Sequence, residues 1–249
     1  MGLIMNSWNE MKIKRNKAHW DKVGAKYSKS WSGEPKGFLS RKEINFINKF
    51  FLAKRPKSVL DIGIGNGRIL ANYLRNTKQS VIYGIDISEK MVNICKRKFL
   101  KNPAVANLTV HDFSKSKLPS DIAFDFISAI RVLKYNRNWA DMIGKISRML
   151  NSEGITVFCM PNRYSLNIFS FHRTPFYRTS KTELGNICKR YNLEILEIES
   201  FTRIPDIFYT LFNKGIGAKC VIGIETFFSK IFGKTFLGRM LFLAVKKKI

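Results

Sequence analysis

The chain predicts an α/β fold built on a mostly parallel sheet with helices on both faces. Three observations lead there. Short apolar runs alternate with helical patterns from residue 55 to residue 161, as strands joined by helical crossovers do. The run Ser58–Ile62 passes directly into a glycine-rich turn, Gly63-Ile64-Gly65-Asn66-Gly67. A second apolar run, Val81-Ile82-Tyr83-Gly84-Ile85, ends on an acid, Asp86.

The elements follow in order. Residues 1–37 are basic and studded with aromatics, Trp8, Trp20, Tyr27 and Trp31. Phe38 to Ala53 reads as an amphipathic helix, with Phe38, Leu39, Ile44, Ile47, Phe50 and Phe51 as its apolar set. Ser58–Ile62 is a buried strand of the parallel type. A helix is expected from about Asn66 to Arg75, and helical crossovers over 89–101 and 136–149, the first capped by Ser88. Thr179 to Tyr191 reads as a helix with Thr179 or Ser180 as its cap. Leu193 to Phe201 alternates apolar and acidic residues as a half-exposed strand does, and residues 239–246 form a closing strand. The expected organisation is a single domain over 1–249. It comprises an N-terminal cover and helix (1–54), a core of alternating strands and helices built on the glycine turn (55–161), a loop (162–178), and a C-terminal part (179–249) with an aromatic-rich segment and the last strand.

The glycine turn carries most of the chemistry. Glycines remove side chains where the backbone turns tightly and a ligand must approach, and the following helix offers free N–H groups. Asp86 lies about 20 residues beyond the first glycine, the spacing at which a carboxylate meets ribose hydroxyls. A dinucleotide fingerprint would place a third glycine where Arg68 stands, and no Gly-Lys-Ser/Thr follows. The spacing therefore argues against NAD and ATP, and Asp61 suits a cationic ligand better than a pyrophosphate.

The run Asp61-Ile62-Gly63-Ile64-Gly65-Asn66-Gly67 resembles the first motif of the class I S-adenosylmethionine-dependent methyltransferases. Gly84-Ile85-Asp86-Ile87-Ser88-Glu89-Lys90-Met91 resembles their second motif, and Val110-His111-Asp112-Phe113 their third. Phe124-Asp125-Phe126-Ile127-Ser128-Ala129 resembles the fourth strand, and Leu150-Asn151-Ser152-Glu153-Gly154 the turn into the fifth, with Asn151-Ser152 replacing a common lysine-proline. His19 to Tyr27 resembles the lead-in of small-molecule members. The resemblance implies a Rossmann-like seven-stranded, mostly parallel sheet with an antiparallel last strand, a helical N-terminal cover and an aromatic-rich insertion before that strand. It implies S-adenosylmethionine as donor, S-adenosylhomocysteine as product, and no metal. The implied cofactor residues are Asp61, Gly63, Gly65, Gly67, Asp86, Ile87, Met91, Asp112, Phe113 and a covering Tyr27.

Composition sets the partners. The 44 basic and 18 acidic residues leave a formal charge of +26, which favours polyanionic surroundings; a composition rich in lysine, asparagine and isoleucine accounts for the excess equally well. Cys95, Cys159, Cys188 and Cys220 show no C-x-x-C spacing, which predicts reduced thiols and no zinc site. No uncharged apolar run is long enough to span a membrane, and no signal-peptide core stands near the start. A cytoplasmic protein is expected, peripheral at the inner membrane surface if its C-terminal segment meets lipid.

Acceptor groups belong beyond the carboxyl ends of the strands. Arg131, Lys134 and Tyr135 follow strand four; Arg163, Tyr164, His172 and Arg173 follow strand five. Their concentration predicts an anionic acceptor, small or lipid-like, held by arginine forks, with His172 as candidate base. These side chains are read equally well as solvated loop charges. The Asn/Asp-Pro-Pro-aromatic run of amino-methylating DNA enzymes is absent after strand four, and Cys159 lacks the Pro-Cys or Thr-Cys-Pro context of cytosine C5 enzymes. Residues 201–249 hold eight phenylalanines, nine basic residues and two acids, Asp206 and Glu225, with Phe227, Phe228, Ile231 and Phe232 on one helical face. That face predicts core packing, a lid, or contact with a membrane interface. An RNA methyltransferase and a catalytically silent S-adenosylmethionine-binding protein are the alternative functions.

Overall fold

The computed structural model describes residues 17–22, 33–77, 79–116, 118, 122–166, 176–235 and 237–248. Among them, seven strands form one sheet: β1 (Ser58–Ile62), β2 (Val81–Asp86), β3 (Val105–Val110), β4 (Phe124–Ala129), β5 (Leu150–Pro161), β6 (Leu193–Phe201) and β7 (Met240–Lys247). The order is β3-β2-β1-β4-β5-β7-β6. β1 to β5 pair in parallel, and β7 enters antiparallel between β5 and β6. The order reverses between β1 and β4, so the loops leaving these two strands diverge and open a crevice at their carboxyl ends.

Two apolar layers flank the sheet. One joins Phe46, Ile47 and Phe51 of α1 (Lys36–Lys54), Leu70 and Tyr73 of α2 (Arg68–Asn76), and Val92 and Cys95 of α3 (Glu89–Phe99). The other joins Met142, Ile143 and Ile146 of α4 (Trp139–Met149) to Leu184 and Ile187 of α5 (Lys181–Arg190). Ser88 caps α3 by accepting from the Met91 N–H at 3.2 Å, and Ser180 caps α5 by accepting from Glu183 N–H at 3.1 Å.

Three local expectations shift. α2 begins at Arg68 because Gly65 and Gly67 hold φ of 54° and 86°, outside the helical region. Residues 133–135 form a 3₁₀ turn, which delays α4 to Trp139. Leu150 to Gly154 is already strand: Leu150 pairs with Phe124, and the register shifts before Phe126. Gly154 permits this close pairing, since a Cβ there would lie 3.0 Å from the Phe124 carbonyl oxygen.

The segment between β6 and β7 folds as α6 (Asp206–Leu211) and α7 (Gly215–Ile231). α7 is anchored by Glu225, which accepts from the Thr202 and Arg203 N–H groups, from the Arg203 guanidinium at 3.1 Å and from Tyr209 Oη at 2.7 Å. Ala218 and Val221 complete its buried side. The core-packing expectation for the phenylalanine face therefore fails. Phe227, Ile231 and Phe232 are exposed, because the stripe carrying Glu225 faces inward to meet Arg203.

Candidate active site

The crevice encloses about 1040 Å³, its open mouth included. Gly63, Gly65, Asp86, Ile87, Met91, Asp112 and Phe113 all line it. Gly65 has positive φ and open space where a Cβ would point, so its backbone is bare to a ligand. Its N–H donates to Asp86 Oδ2 at 2.9 Å, while Ser88 N–H donates to Asp86 Oδ1 at 2.9 Å. The carboxylate is thereby fixed, with lone pairs to spare for hydroxyl donors. Burial raises the Asp86 pKa above its usual range; the two N–H bonds oppose that shift and the nearby Asp21 charge adds to it. Asp112 Oδ1 accepts from Ser114 N–H and Oγ, which aims the β3–turn segment at the crevice. Ile87, Met91, Phe113, Val132 and Met142 supply apolar wall.

Asp61 and Gly67 stand behind the turn. Gly67 caps α2 in the left-handed region, and a Cβ would meet Phe99 at 2.4 Å. Asp61 is fully buried; Ser128 Oγ donates to its Oδ1 at 2.6 Å, and its Oδ2 has no partner among the described residues. Burial pushes its pKa up to about 7; the Ser128 hydrogen bond and the Arg68 charge oppose the rise, and Asp86 adds to it. A buried, partnerless carboxylate oxygen behind a bare glycine turn is the environment a cationic ligand relieves. With two fixed carboxylates and an apolar wall, these residues fit S-adenosylmethionine. Tyr27 lies outside the described residues.

A second cavity of about 840 Å³, its open mouth included, shares Trp20, Arg131 and Tyr135 with the crevice. Its other walls are Lys36 and Leu39 of α1, Lys134, Thr202, Asp206, Tyr209 and Thr210 of α6, and Arg239. Trp20, on a helical segment at residues 17–22, meets Tyr135 edge-on at 5.8 Å between ring centroids. The neighbouring Asp21 accepts from Ser88 Oγ at 2.5 Å, which ties this segment to the start of α3. Four cations line the cavity against one carboxylate, Asp206, which pairs with Arg239.

The acceptor candidates separate. Arg131 lies where expected but is no free fork, because its guanidinium pairs with Glu43. It also holds φ 64°, a left-handed conformation rare for a non-glycine residue and typical of functional sites. Lys134 is 6% exposed and forms no ion pair with a carboxylate among the described residues; its ammonium lies over the Tyr135 and Phe176 rings, and Asp206 acts on it only at longer range. Burial, with the Arg131 and Arg239 charges, pushes the Lys134 pKa down to about 7, against the opposing pull of Cys159 and Asp206. Arg163 and Tyr164 leave the site. Arg163 N–H donates to the Thr179 carbonyl, which turns its side chain toward Glu183 in a separate groove with Trp139 and Arg190. Tyr164 is exposed. His172 and Arg173 lie outside the described residues.

Glu43 is the residue the sequence reading missed. It is 1% exposed and accepts from Arg68 at 2.7 Å as well as from Arg131. Burial alone would raise its pKa; the charges of Arg131 and Arg68 outweigh that and lower it. The available signal was an acid on the apolar stripe of α1, four residues from both Leu39 and Ile47.

Known proteins match this arrangement. A family model described as a methyltransferase domain matches residues 37–198. Malonyl-[acyl-carrier protein] O-methyltransferase of Halalkalibacterium halodurans is 24% identical over 153 residues, 61% of this chain and 55% of that protein. The tRNA N(3)-methylcytidine methyltransferase trm140 of Schizosaccharomyces pombe is 28% identical over 152 residues, 56% of this chain and 48% of its own. The chain thus spans about half the length of the curated relatives it matches. In fold, it resembles magnesium protoporphyrin IX methyltransferase (ChlM) of Synechocystis PCC 6803 with bound SAH, at a TM-score of 0.64 and 12% identity over 95% of this chain and 100% of that one. The domain match across most of the chain, on a seven-stranded sheet with a glycine-turn crevice, makes this protein a member of the methyltransferase domain family.

Proposed function

We propose that this methyltransferase acts on a small acceptor bearing a carboxylate or phosphate, with that group held in the second cavity. Gly63, Gly65, Asp86, Ile87, Met91, Asp112 and Phe113 hold the cofactor in the crevice, which supplies an activated methyl on a sulfonium. The observation that carries the reading is Lys134, buried without an ion-paired carboxylate among the described residues and with Asp206 only at longer range, in a cavity that adjoins the crevice through Trp20, Arg131 and Tyr135. A buried ammonium in that setting is costly until an anion joins it. The cavity positions the acceptor, and positioning is most of what attack on an activated methyl requires. Lipid-like acceptors fit the same chemistry through an anionic headgroup.

An RNA acceptor is the second reading. The charge of +26 and the tRNA-methylating relative favour it. Incubation of methyl-labelled cofactor with a cell extract, then separation into lipid, small-molecule and RNA fractions, tests both. Label in acidic small molecules or lipid, lost in Lys134→Met while cofactor binding persists, is the expected result. Label confined to RNA, or transfer indifferent to Lys134→Met, overturns the anionic-acceptor assignment.

A further inference from the structure

We propose that the outer face of α6 and α7 docks on an anionic lipid bilayer. Along α7, Ile216, Cys220, Ile224, Phe227 and Ile231 recur at helical spacing on the side away from Ala218, Val221 and Glu225. Ile216 is 81% exposed and Phe227 57%. Ile207, Phe208 and Leu211 extend the apolar surface onto α6. More than half of the exposed large apolar side chains among the described residues fall between 207 and 232, and apolar exposure so concentrated marks an interaction surface.

Charge selects the occupant. Both acids of this region are engaged elsewhere, Glu225 buried against Arg203 and Asp206 paired with Arg239. Exposed Lys214, Lys219 and Lys230 flank the apolar stripe, and Lys234, paired with Glu197, lies just beyond it. An apolar stripe flanked by lysines and free of exposed acid is the pattern of an interfacial helix on anionic lipid. A second copy of the chain would instead bring two bodies of charge +26 together. The inner side of α6 walls the second cavity through Asp206, Tyr209 and Thr210, so docking sets that cavity beside the bilayer.

Cys220 provides the test. It is exposed on the stripe, while Cys95, Cys159 and Cys188 are buried, so an environment-sensitive fluorophore attaches at one place. With phosphatidylglycerol-containing phosphatidylcholine vesicles, the expected result is co-sedimentation with a blue shift of the probe. Phosphatidylcholine vesicles alone should bind far less. A Phe227→Ser, Ile231→Ser double variant removes only exposed side chains and should bind at least about tenfold more weakly. Sedimentation without a blue shift, unchanged binding by the double variant, or a shift that tracks protein concentration without vesicles would overturn the proposal. A shift with RNA in place of vesicles would do the same. Neither readout involves methyl transfer, so a failed acceptor assignment leaves it standing.

Discussion

Replacing Asp61 with asparagine removes a carboxyl that the fold holds close to neutrality. Asp61 is 1% exposed, with one oxygen bonded to Ser128 and the other without a partner among the described residues. Burial raises its pKa from 3.8 to about 7. Between about pH 4 and pH 7 the native state keeps a proton that the unfolded chain has released. Stability therefore falls as pH rises through that window, by about 1.4 kcal/mol per pH unit, and the loss reaches about 4 kcal/mol above pH 7. Asparagine carries no charge and no such slope. Urea unfolding of wild type and Asp61→Asn at a series of pH values reads the difference directly. The variant should gain on wild type by roughly 3 kcal/mol between pH 5 and pH 7.5. A difference independent of pH would refute the burial argument. The same carboxyl should lose its proton when a cationic cofactor arrives. Calorimetry near pH 6.5, in buffers of different ionisation enthalpy, should show proton release with wild type and none with Asp61→Asn.

Three further outcomes follow from buried charges. Glu43→Ala leaves Arg68 and Arg131 without their shared carboxylate and should destabilise the protein by about 3–5 kcal/mol, read as a drop in Tm; a change below about 1 kcal/mol would show that the triad is solvated. Glu225→Ala breaks the buried anchor of α7 by a similar amount, and limited proteolysis should cut within 206–232 before the sheet unfolds. Lys134, with its pKa lowered to about 7, is mostly neutral at higher pH, and an anionic acceptor must re-protonate it. The acceptor KM should therefore rise above about pH 7, and Lys134→Met should flatten that dependence while raising KM throughout. An unchanged pH profile in the variant would remove Lys134 from the site.

The glycine-turn crevice was legible because its constraints are local. Positive φ at Gly65 and Gly67, an apolar strand before them and an acid closing the next strand all appear as residue type and spacing. The second cavity was not, since its walls come from α1, the end of β4, α6 and the approach to β7, which only the packed sheet brings together. Arg163 looked equivalent to Arg131 in sequence, yet one backbone hydrogen bond to Thr179 turns it toward another groove. α7 carries two stripes, and hydrophobicity alone favoured burying the bulkier one. Arg203 reverses that choice by giving Glu225 a buried partner, a pairing between distant positions that periodicity does not reveal.

The central claim is that the glycine-turn crevice holds the donor with its reactive end facing the cationic cavity. A crystal structure with S-adenosylhomocysteine tests it most directly. The predicted result places the ribose hydroxyls on the Asp86 carboxylate, the adenine beside Asp112 and Phe113, and the sulfur toward Trp20, Arg131 and Tyr135. A nucleoside bound outside this crevice, or a sulfur turned away from those three residues, would contradict it.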